Sequence, residues 1–127
     1  IELLKGIVNK RFKHKRLDVN KKTGLVFTSK IKKSENGKHQ TISPTKLSSG
    51  EQNELIIFYQ LIFNSRPGNI ILIDEPELSL HISWQNQFIN DLKTVTSINS
   101  SSVIIATHSP DIISDNWDLR VELQGVE

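Results

Sequence analysis

The chain has 127 residues and no cysteine, so it can form one small domain with one core, and disulfide bonds and thiolate metal sites are excluded. No apolar run approaches the length of a membrane span and no signal peptide opens the sequence, which fits a cytoplasmic protein without a membrane partner. The net charge of +2 hides a division: residues 1–48 carry 13 Lys and Arg against 3 Asp and Glu, whereas residues 49–127 carry 3 against 11. Ile1 is not a natural start, so we expect an excerpt of a longer protein.

The basic first part is predicted to form antiparallel strands after the end of a helix at residues 1–10. Residues 16–20, 24–31 and 39–42 have the composition and alternation of strands. Turn sequences separate them, and Asn36-Gly37 is the strongest short hairpin signal. The lysines of this region have two interpretations. They face the phosphate backbone of DNA or RNA, or they are solvated residues on strands that cover a neighbouring layer.

A helix is predicted from about Glu51 to Asn64, after a loop at residues 43–46. Two pairs match a capping box at its start, Ser48 with Glu51 or Ser49 with Gln52. Apolar residues occupy most of the helix circumference, which predicts a buried helix.

Residues 70–80, Ile-Ile-Leu-Ile-Asp-Glu-Pro-Glu-Leu-Ser-Leu, are the centre of the second part. The short apolar run predicts a strand buried on both faces, as in a parallel sheet. Further strands are predicted at residues 102–106 and 118–123. Ser83 is the expected N-cap of a helix to about Ser97, and Ser109 with Pro110 begins a short helix. The alternation of strand and helix predicts a parallel α/β sheet.

Polar residues follow two of these strands at their carboxyl ends, where open α/β sheets place their ligands. Asp74 could hold Mg²⁺, and Glu75 could accept a proton from an attacking water. His108 follows the second strand and could donate a hydrogen bond to a phosphoryl oxygen. The helix start after Ser48 offers free N–H groups that bind phosphate, and Gly50 lets the backbone approach closely.

Together these residues resemble the ATP-binding-cassette (ABC) ATPases. Residues 47–51, Leu-Ser-Ser-Gly-Glu, resemble the signature motif, and residues 70–75 resemble the Walker B strand. Residues 79–81, Ser-Leu-His, stand where the D-loop stands, and His108 matches the switch histidine. The resemblance covers residues 44–113. It implies a parallel-sheet P-loop NTPase half at residues 47–127, preceded by a basic antiparallel β-hairpin region at residues 1–46.

The resemblance also implies roles and cofactors. ATP and Mg²⁺ would be bound, with the metal at Asp74, Glu75 as general base and His108 at the γ-phosphate. Cassettes dimerise head to tail around two ATPs, so the signature and D-loop residues would face the nucleotide and surface of a second subunit. These residues are Ser48, Ser49, Gly50, Glu51, Ser79 and His81. Glu77 is expected to hold its turn by accepting backbone N–H bonds.

The sequence is most similar to the OLD, RecF-like and related AAA-type ABC ATPases of DNA repair and phage defence, which implies a nuclease domain or subunit as output. The pattern Asp-Glu-Pro-Glu with Leu-Ser-Leu-His supports this group. Transporter cassettes usually have Thr after the proline and Asp at the position of His81. A transporter subunit and a non-catalytic nucleic-acid-binding scaffold remain the alternatives.

No Gly-x-x-x-x-Gly-Lys-Ser/Thr phosphate loop occurs in the sequence. In the family it precedes the signature motif, so the resemblance implies a partner, the N-terminal half that carries Walker A. Phosphoryl transfer depends on positioning and charge stabilisation. The 127 residues alone are therefore predicted to be inactive.

Overall fold

The computed structural model describes residues 1–123. Within these residues there are four α-helices: α1 (Glu2–Arg11), α2 (Ser49–Tyr59), α3 (Ile82–Asn99) and α4 (Pro110–Ile113). The same part of the chain contains five strands: β1 (Lys15–Asn20), β2 (Gly24–Lys33), β3 (His39–Ile42), β4 (Ile70–Asp74) and β5 (Ser102–Ala106). No helix of residues 1–123 is long and apolar enough to cross a membrane.

The basic part forms the predicted antiparallel sheet, in the order β1-β2-β3. β1 and β2 pair without interruption from Lys15 opposite Ser29 to Asn20 opposite Gly24. The β2–β3 pairing shifts register between Thr28 and Lys33. Leu17 and Phe27 point into the core and are fully buried, so this sheet covers the helices with one face.

The second part contains a two-stranded parallel sheet in which β4 pairs with β5. Its strand–helix–strand order confirms the predicted mixed α/β fold with a parallel sheet. The strand predicted at residues 118–123 is wrong. Residues 117–119 form a 3₁₀ turn instead, with the Arg120 guanidinium 5.5 Å from the Trp117 ring centre. A strand needs a neighbour for its hydrogen bonds, and residues 118–123 have none among the described strands.

The strands β4 and β5 are not buried on both faces, contrary to the prediction. Burial alternates along each strand. Ile71 and Val103 pack against the core, whereas Ile70, Leu72 and Ile104 are 58–75% exposed. We call these last three residues the outer face of the parallel sheet. The apolar run places apolar side chains on both faces of the sheet, but residues 1–123 cover only one of these faces.

The predicted burial of the helix after Ser48 is likewise only half correct. On α2 the buried side chains are Glu54 and Phe58, while Ile56 and Tyr59 are exposed. The helix continues as a π-helical turn over Gln60–Asn64, where Phe63 is also exposed.

One hydrophobic core joins both parts of the chain. Its large, fully buried members come from α1, β1, β2, α2, α3 and α4: Leu4, Phe12, Leu17, Phe27, Phe58, Phe88 and Ile112. The proposed division of the chain at residue 46 remains a prediction.

Candidate functional site

The carboxyl ends of β4 and β5 lie side by side. Asp74 stands opposite Ala106 in the parallel register, and the Glu75 N–H donates to the Ala106 carbonyl at 2.8 Å. The Glu75 carboxylate is 3.9 Å from Nε2 of His108. The two side chains are 44% and 92% exposed, so solvent and a ligand can reach both.

Glu75 has a left-handed backbone conformation, with φ 43° and ψ 54°. A residue with a β-carbon rarely adopts this region, and the strain is of order 1 kcal/mol or more. Pro76 contributes to this conformation of Glu75, because a proline disfavours the right-handed helical region for the residue before it. Residues held in this way occur often at active sites, and Glu75 is the residue predicted to act as general base.

Glu77 connects the turn after β4 to the loop after β5. Its carboxylate accepts the Thr107 hydroxyl at 2.8 Å and the His108 N–H at 2.9 Å. Partial burial raises the pKa of Glu77, but hydrogen bonds from the N–H groups of Glu77 and His108 and from Thr107 outweigh it, so the pKa falls below its usual value. Glu77 thus accepts backbone N–H bonds, as predicted, and the His108 donor belongs to the neighbouring loop after β5.

Gln85 is a site residue that the sequence reasoning missed. It is buried on α3, where its amide donates to the carbonyls of Glu77 and Leu80 at 3.4 Å. Its carbonyl accepts the Ser109 hydroxyl at 3.0 Å. The signal was present, because Gln85 is a polar residue in the apolar helical stripe that continues with Phe88.

The start of α2 has the capping box formed by Ser48 and Glu51. The Ser48 hydroxyl accepts the Glu51 N–H at 3.2 Å, and Oε2 of Glu51 accepts the Ser48 N–H at 2.8 Å. The alternative pair, Ser49 with Gln52, is not used: Ser49 is the first residue of the helix and is exposed.

The turn at residues 79–81 packs directly against this helix start. A β-carbon on Gly50 would lie 3.6 Å from both the Ser79 carbonyl oxygen and the His81 nitrogen, so the predicted signature and D-loop residues are neighbours. The predicted N-cap of α3 is wrong. His81, not Ser83, is the N-cap, because its Nδ1 accepts the Ser83 N–H at 3.2 Å.

The residues fit a nucleotide-borne metal better than a metal held by protein alone. Asp74 is exposed at the strand end, and residues 1–123 contain no cluster of three potential ligands. Mg²⁺ keeps several waters and binds through one or two carboxylates plus substrate phosphates. The lone Asp74–Glu75 carboxylate pair suits that arrangement.

A buried ionic cluster joins α1, α2 and α3, and it was also missed. Glu54 is 1% exposed, with its Oε1 3.8 Å from Nε of Arg11, which also pairs with Asp91. Burial raises the pKa of Glu54 to about 7, against the lowering effect of Arg11. The sequence indicates this cluster only through Glu54, a charged residue on the same side of α2 as the buried Phe58.

Comparison with known proteins agrees with this architecture. The profile of the AAA ATPase domain family matches residues 2–113. Two uncharacterized ABC transporter ATP-binding proteins of Mycobacterium tuberculosis, from strains CDC 1551 and H37Rv, are each 34% identical over 82 residues. That alignment covers 65% of this chain and 32% of each relative, so the chain spans about a third of the curated relatives it matches.

Two solved structures share the fold at low sequence identity. One is the SMC head bound to the C-terminal winged-helix domain of ScpA, with TM-score 0.55 and 16% identity, covering 88% of this chain and 35% of that one. The other, from work on ATP-driven dimerization and DNA-stimulated activation of SMC ATPases, has TM-score 0.53 and 17% identity, covering 88% and 68%. The predicted P-loop NTPase fold is confirmed, whereas the OLD/RecF-like subgroup stays a prediction. Since the profile covers most of the chain, the chain belongs to the AAA ATPase domain family of ABC/AAA-type ATPases.

Proposed function

We propose that this chain is the signature-bearing half of an ABC-type ATPase that hydrolyses ATP as a head-to-tail dimer. The observation that carries the proposal is the pair of Glu75 and His108, 3.9 Å apart at the ends of neighbouring parallel strands. A carboxylate and an imidazole at this edge can act on a water and on a phosphoryl group bound between strand ends.

In this proposal each strand-end residue has one task. Glu75 accepts the proton of the attacking water, and His108 donates a hydrogen bond to the γ-phosphate. Asp74 would hold Mg²⁺, which would supply positive charge near the phosphate oxygens. Glu77 is a positioning residue, since it fixes the backbone N–H of His108.

The start of α2 and the turn beside it contact the second subunit. Ser48, Ser49 and Gly50 address the γ-phosphate held by the opposite subunit, and Glu51 keeps this turn closed through the capping box. Ser79 and His81 lie at the dimer interface. The exposure of Ser48, Ser49 and His81 and the packing of Gly50 on residues 79–81 support a shared contact surface.

A further part of the ATPase, the N-terminal half with the phosphate loop, is proposed to cover the apolar surface that this chain leaves open. The surface comprises the outer face of the parallel sheet and the exposed side of α2 with its following turn: Ile70, Leu72, Ile104, Ile56, Tyr59 and Phe63. Leu72 lies opposite Ile104 in the sheet, and the Tyr59 and Phe63 rings are 4.9 Å apart, so each part groups its exposed apolar residues, as interaction sites do. Strand edges of β4 and β5 beside it can also accept neighbours.

The proposal is tested by comparing this chain with the complete ATPase that includes the phosphate loop. With ATP and magnesium we expect sustained hydrolysis and ATP-driven dimerisation only in the complete protein. Sustained hydrolysis by the 127 residues alone, abolished by Glu75→Gln, would overturn the division of labour proposed here.

A second candidate function is nucleic-acid binding by the basic sheet. Exposed lysines lie at both ends of β2: Lys21 and Lys22 in one turn, and Lys32 and Lys33 before the other. The ten residues of β2 separate them by roughly 30 Å, which a duplex or an extended single strand can bridge. Reversing all four charges should abolish salt-dependent binding of DNA or RNA, and unchanged binding would exclude this surface.

The cellular setting is proposed on resemblance alone, namely DNA repair or antiphage defence with a nuclease domain or subunit as output. The competing setting is a transporter, since the curated relatives are named as ABC transporter ATP-binding proteins. Purification of the tagged complete protein from its native cells distinguishes them: a nuclease partner supports the first setting, and a membrane subunit supports the second.

A further inference from the structure

An ion pair joins the basic sheet to the start of α2. Nζ of Lys15, the first residue of β1, lies 2.5 Å from Oε2 of Glu51. This is the same oxygen that accepts the Ser48 N–H at 2.8 Å. The Lys15 and Glu51 side chains are only 22% and 14% exposed, so the pair is partly shielded from solvent and the orientation of the Glu51 carboxylate is fixed from two sides.

A second contact between the same regions runs through aromatic rings. Phe27 of β2 stacks on Phe12 at 6.1 Å, and Phe12 stacks on Trp84 at 5.9 Å. Trp84 in turn lies 5.5 Å from the His81 ring and 3.7 Å from the β-carbon position of Gly50. The ring series from β2 therefore reaches the start of α2 at Gly50, the residue before Glu51.

We infer that Lys15 is a positioning residue for the start of α2. By holding Glu51 it keeps the Ser48 N–H and hydroxyl in the capping box and so presents Ser48, Ser49 and Gly50 in one conformation. This inference rests on the proposed function for its consequence, because these residues are assigned there to the nucleotide of the opposite subunit. Lys15 then affects subunit closure and leaves nucleotide binding within one subunit unchanged.

A merely structural ion pair would behave differently. A partly exposed pair contributes little to global stability, and its loss would change dimerisation and single-subunit binding equally or not at all. If Lys15 positions the helix start, dimerisation and single-subunit binding respond differently to its loss. The exchange of the Ser48 amide and the ATP dependence of dimerisation change together, while the ATP affinity of the monomer stays unchanged.

The test uses Lys15→Met, with Lys13→Met as the matched control, because Lys13 is exposed two residues away and its replacement removes the same charge. In this chain, amide exchange at Ser48 is expected to rise about fivefold in Lys15→Met only. In the complete ATPase, dimerisation at a fixed ATP concentration is expected to weaken about tenfold. Lys15→Arg, which keeps the charge, should restore both.

A second variant keeps the test decisive if Lys15→Met fails to fold. Glu51→Gln retains the contact to Ser48 and removes the ion pair, so it should by itself raise amide exchange at Ser48. Where Lys15→Met folds, adding it to Glu51→Gln should cause no further loss. If amide exchange at Ser48 is unchanged in the single variants that fold, the inference is overturned, whatever the complete protein does. If the complete protein forms no ATP-driven dimer, the proposed function fails, and that result is independent of the exchange measurement. Equal losses in monomer ATP affinity and in dimerisation also overturn the inference.

Discussion

Within residues 1–123 both sheets are covered on one face only, but their uncovered faces differ. Arg16, Asp18 and Asn20 of β1 are exposed polar residues, whereas Ile70, Leu72 and Ile104 of the parallel sheet are exposed apolar residues. Phe27 on β2 is 1% exposed, and Leu72 on β4 is 75% exposed. Both are large apolar residues in strands, so hydrophobicity alone does not decide burial. The exposed apolar face of the strand that carries Asp74 and Glu75 at its end supports the proposal that a further part of the ATPase covers it.

The largest expected effect comes from removing a buried side chain of the antiparallel sheet. Phe27→Ala should lower the free energy of unfolding by about 3–5 kcal/mol, because it leaves a cavity between Phe12 and the sheet. Leu72→Ser is the matched variant on the outer face, and its effect on this chain should stay within about 0.5 kcal/mol. Urea unfolding followed by circular dichroism measures both. A cost above about 2 kcal/mol for Leu72→Ser would mean that this chain itself covers the outer face.

The next effect concerns the inner side of α2, where Glu54 is buried. Its pKa is raised from 4.5 to about 7, so the folded state binds the proton more tightly than the unfolded state. Stability should therefore be greatest below pH 4.5 as far as this group is concerned, and should fall by about 1–3 kcal/mol as the pH rises to 7.

Glu54→Gln should remove this part of the pH dependence, and exposed Glu35→Gln should keep it. The measurement is the urea midpoint from pH 5 to pH 8, taken as the difference between each variant and the wild type. Parallel pH profiles for wild type and Glu54→Gln would contradict the assignment.

A smaller effect is expected at the open strand ends, where Glu77 holds the loop after β5. Its pKa is lowered on folding, so its stabilising contribution is present near neutral pH and is lost on acidification. Glu77→Ala should cost about 1 kcal/mol at pH 7, since it removes hydrogen bonds to Thr107 and His108 at a partly exposed site. Faster amide exchange at His108 should accompany the loss, with Glu35→Ala as the control. Unchanged exchange at His108 would show that Glu77 does not hold this loop.

Much of the architecture follows from local sequence. Asn36-Gly37 located the hairpin, the Ser48–Glu51 spacing located the start of α2, and the apolar run before Asp74 located β4. These signals are local because turn geometry and capping act over a few residues. From these signals, Glu75 and His108 are predicted to lie at the same edge of the parallel sheet, although the signals contain no information about tertiary contacts.

Except for the N-cap of α3, which is a local error, the errors have a common cause in tertiary context. The apolar character of β4 predicts two covered faces, but periodicity does not say which other residues provide the cover. The strand expected at residues 118–123 lacked a neighbouring strand. The links of Lys15 with Glu51, of Arg11 with Glu54 and of Gln85 with Ser109 join residues far apart in sequence, where spacing carries no information.

The most direct test of the central claim is Glu75→Gln in the complete ATPase, with exposed Glu35→Gln as the control. Hydrolysis and ATP-driven dimerisation are measured side by side. We expect the hydrolysis rate to fall by about 100-fold or more, while ATP still drives dimerisation, because the neutral side chain keeps its size but no longer accepts the proton. Hydrolysis within about twofold of the wild type would contradict the role of Glu75 and, with it, the proposed strand-end site.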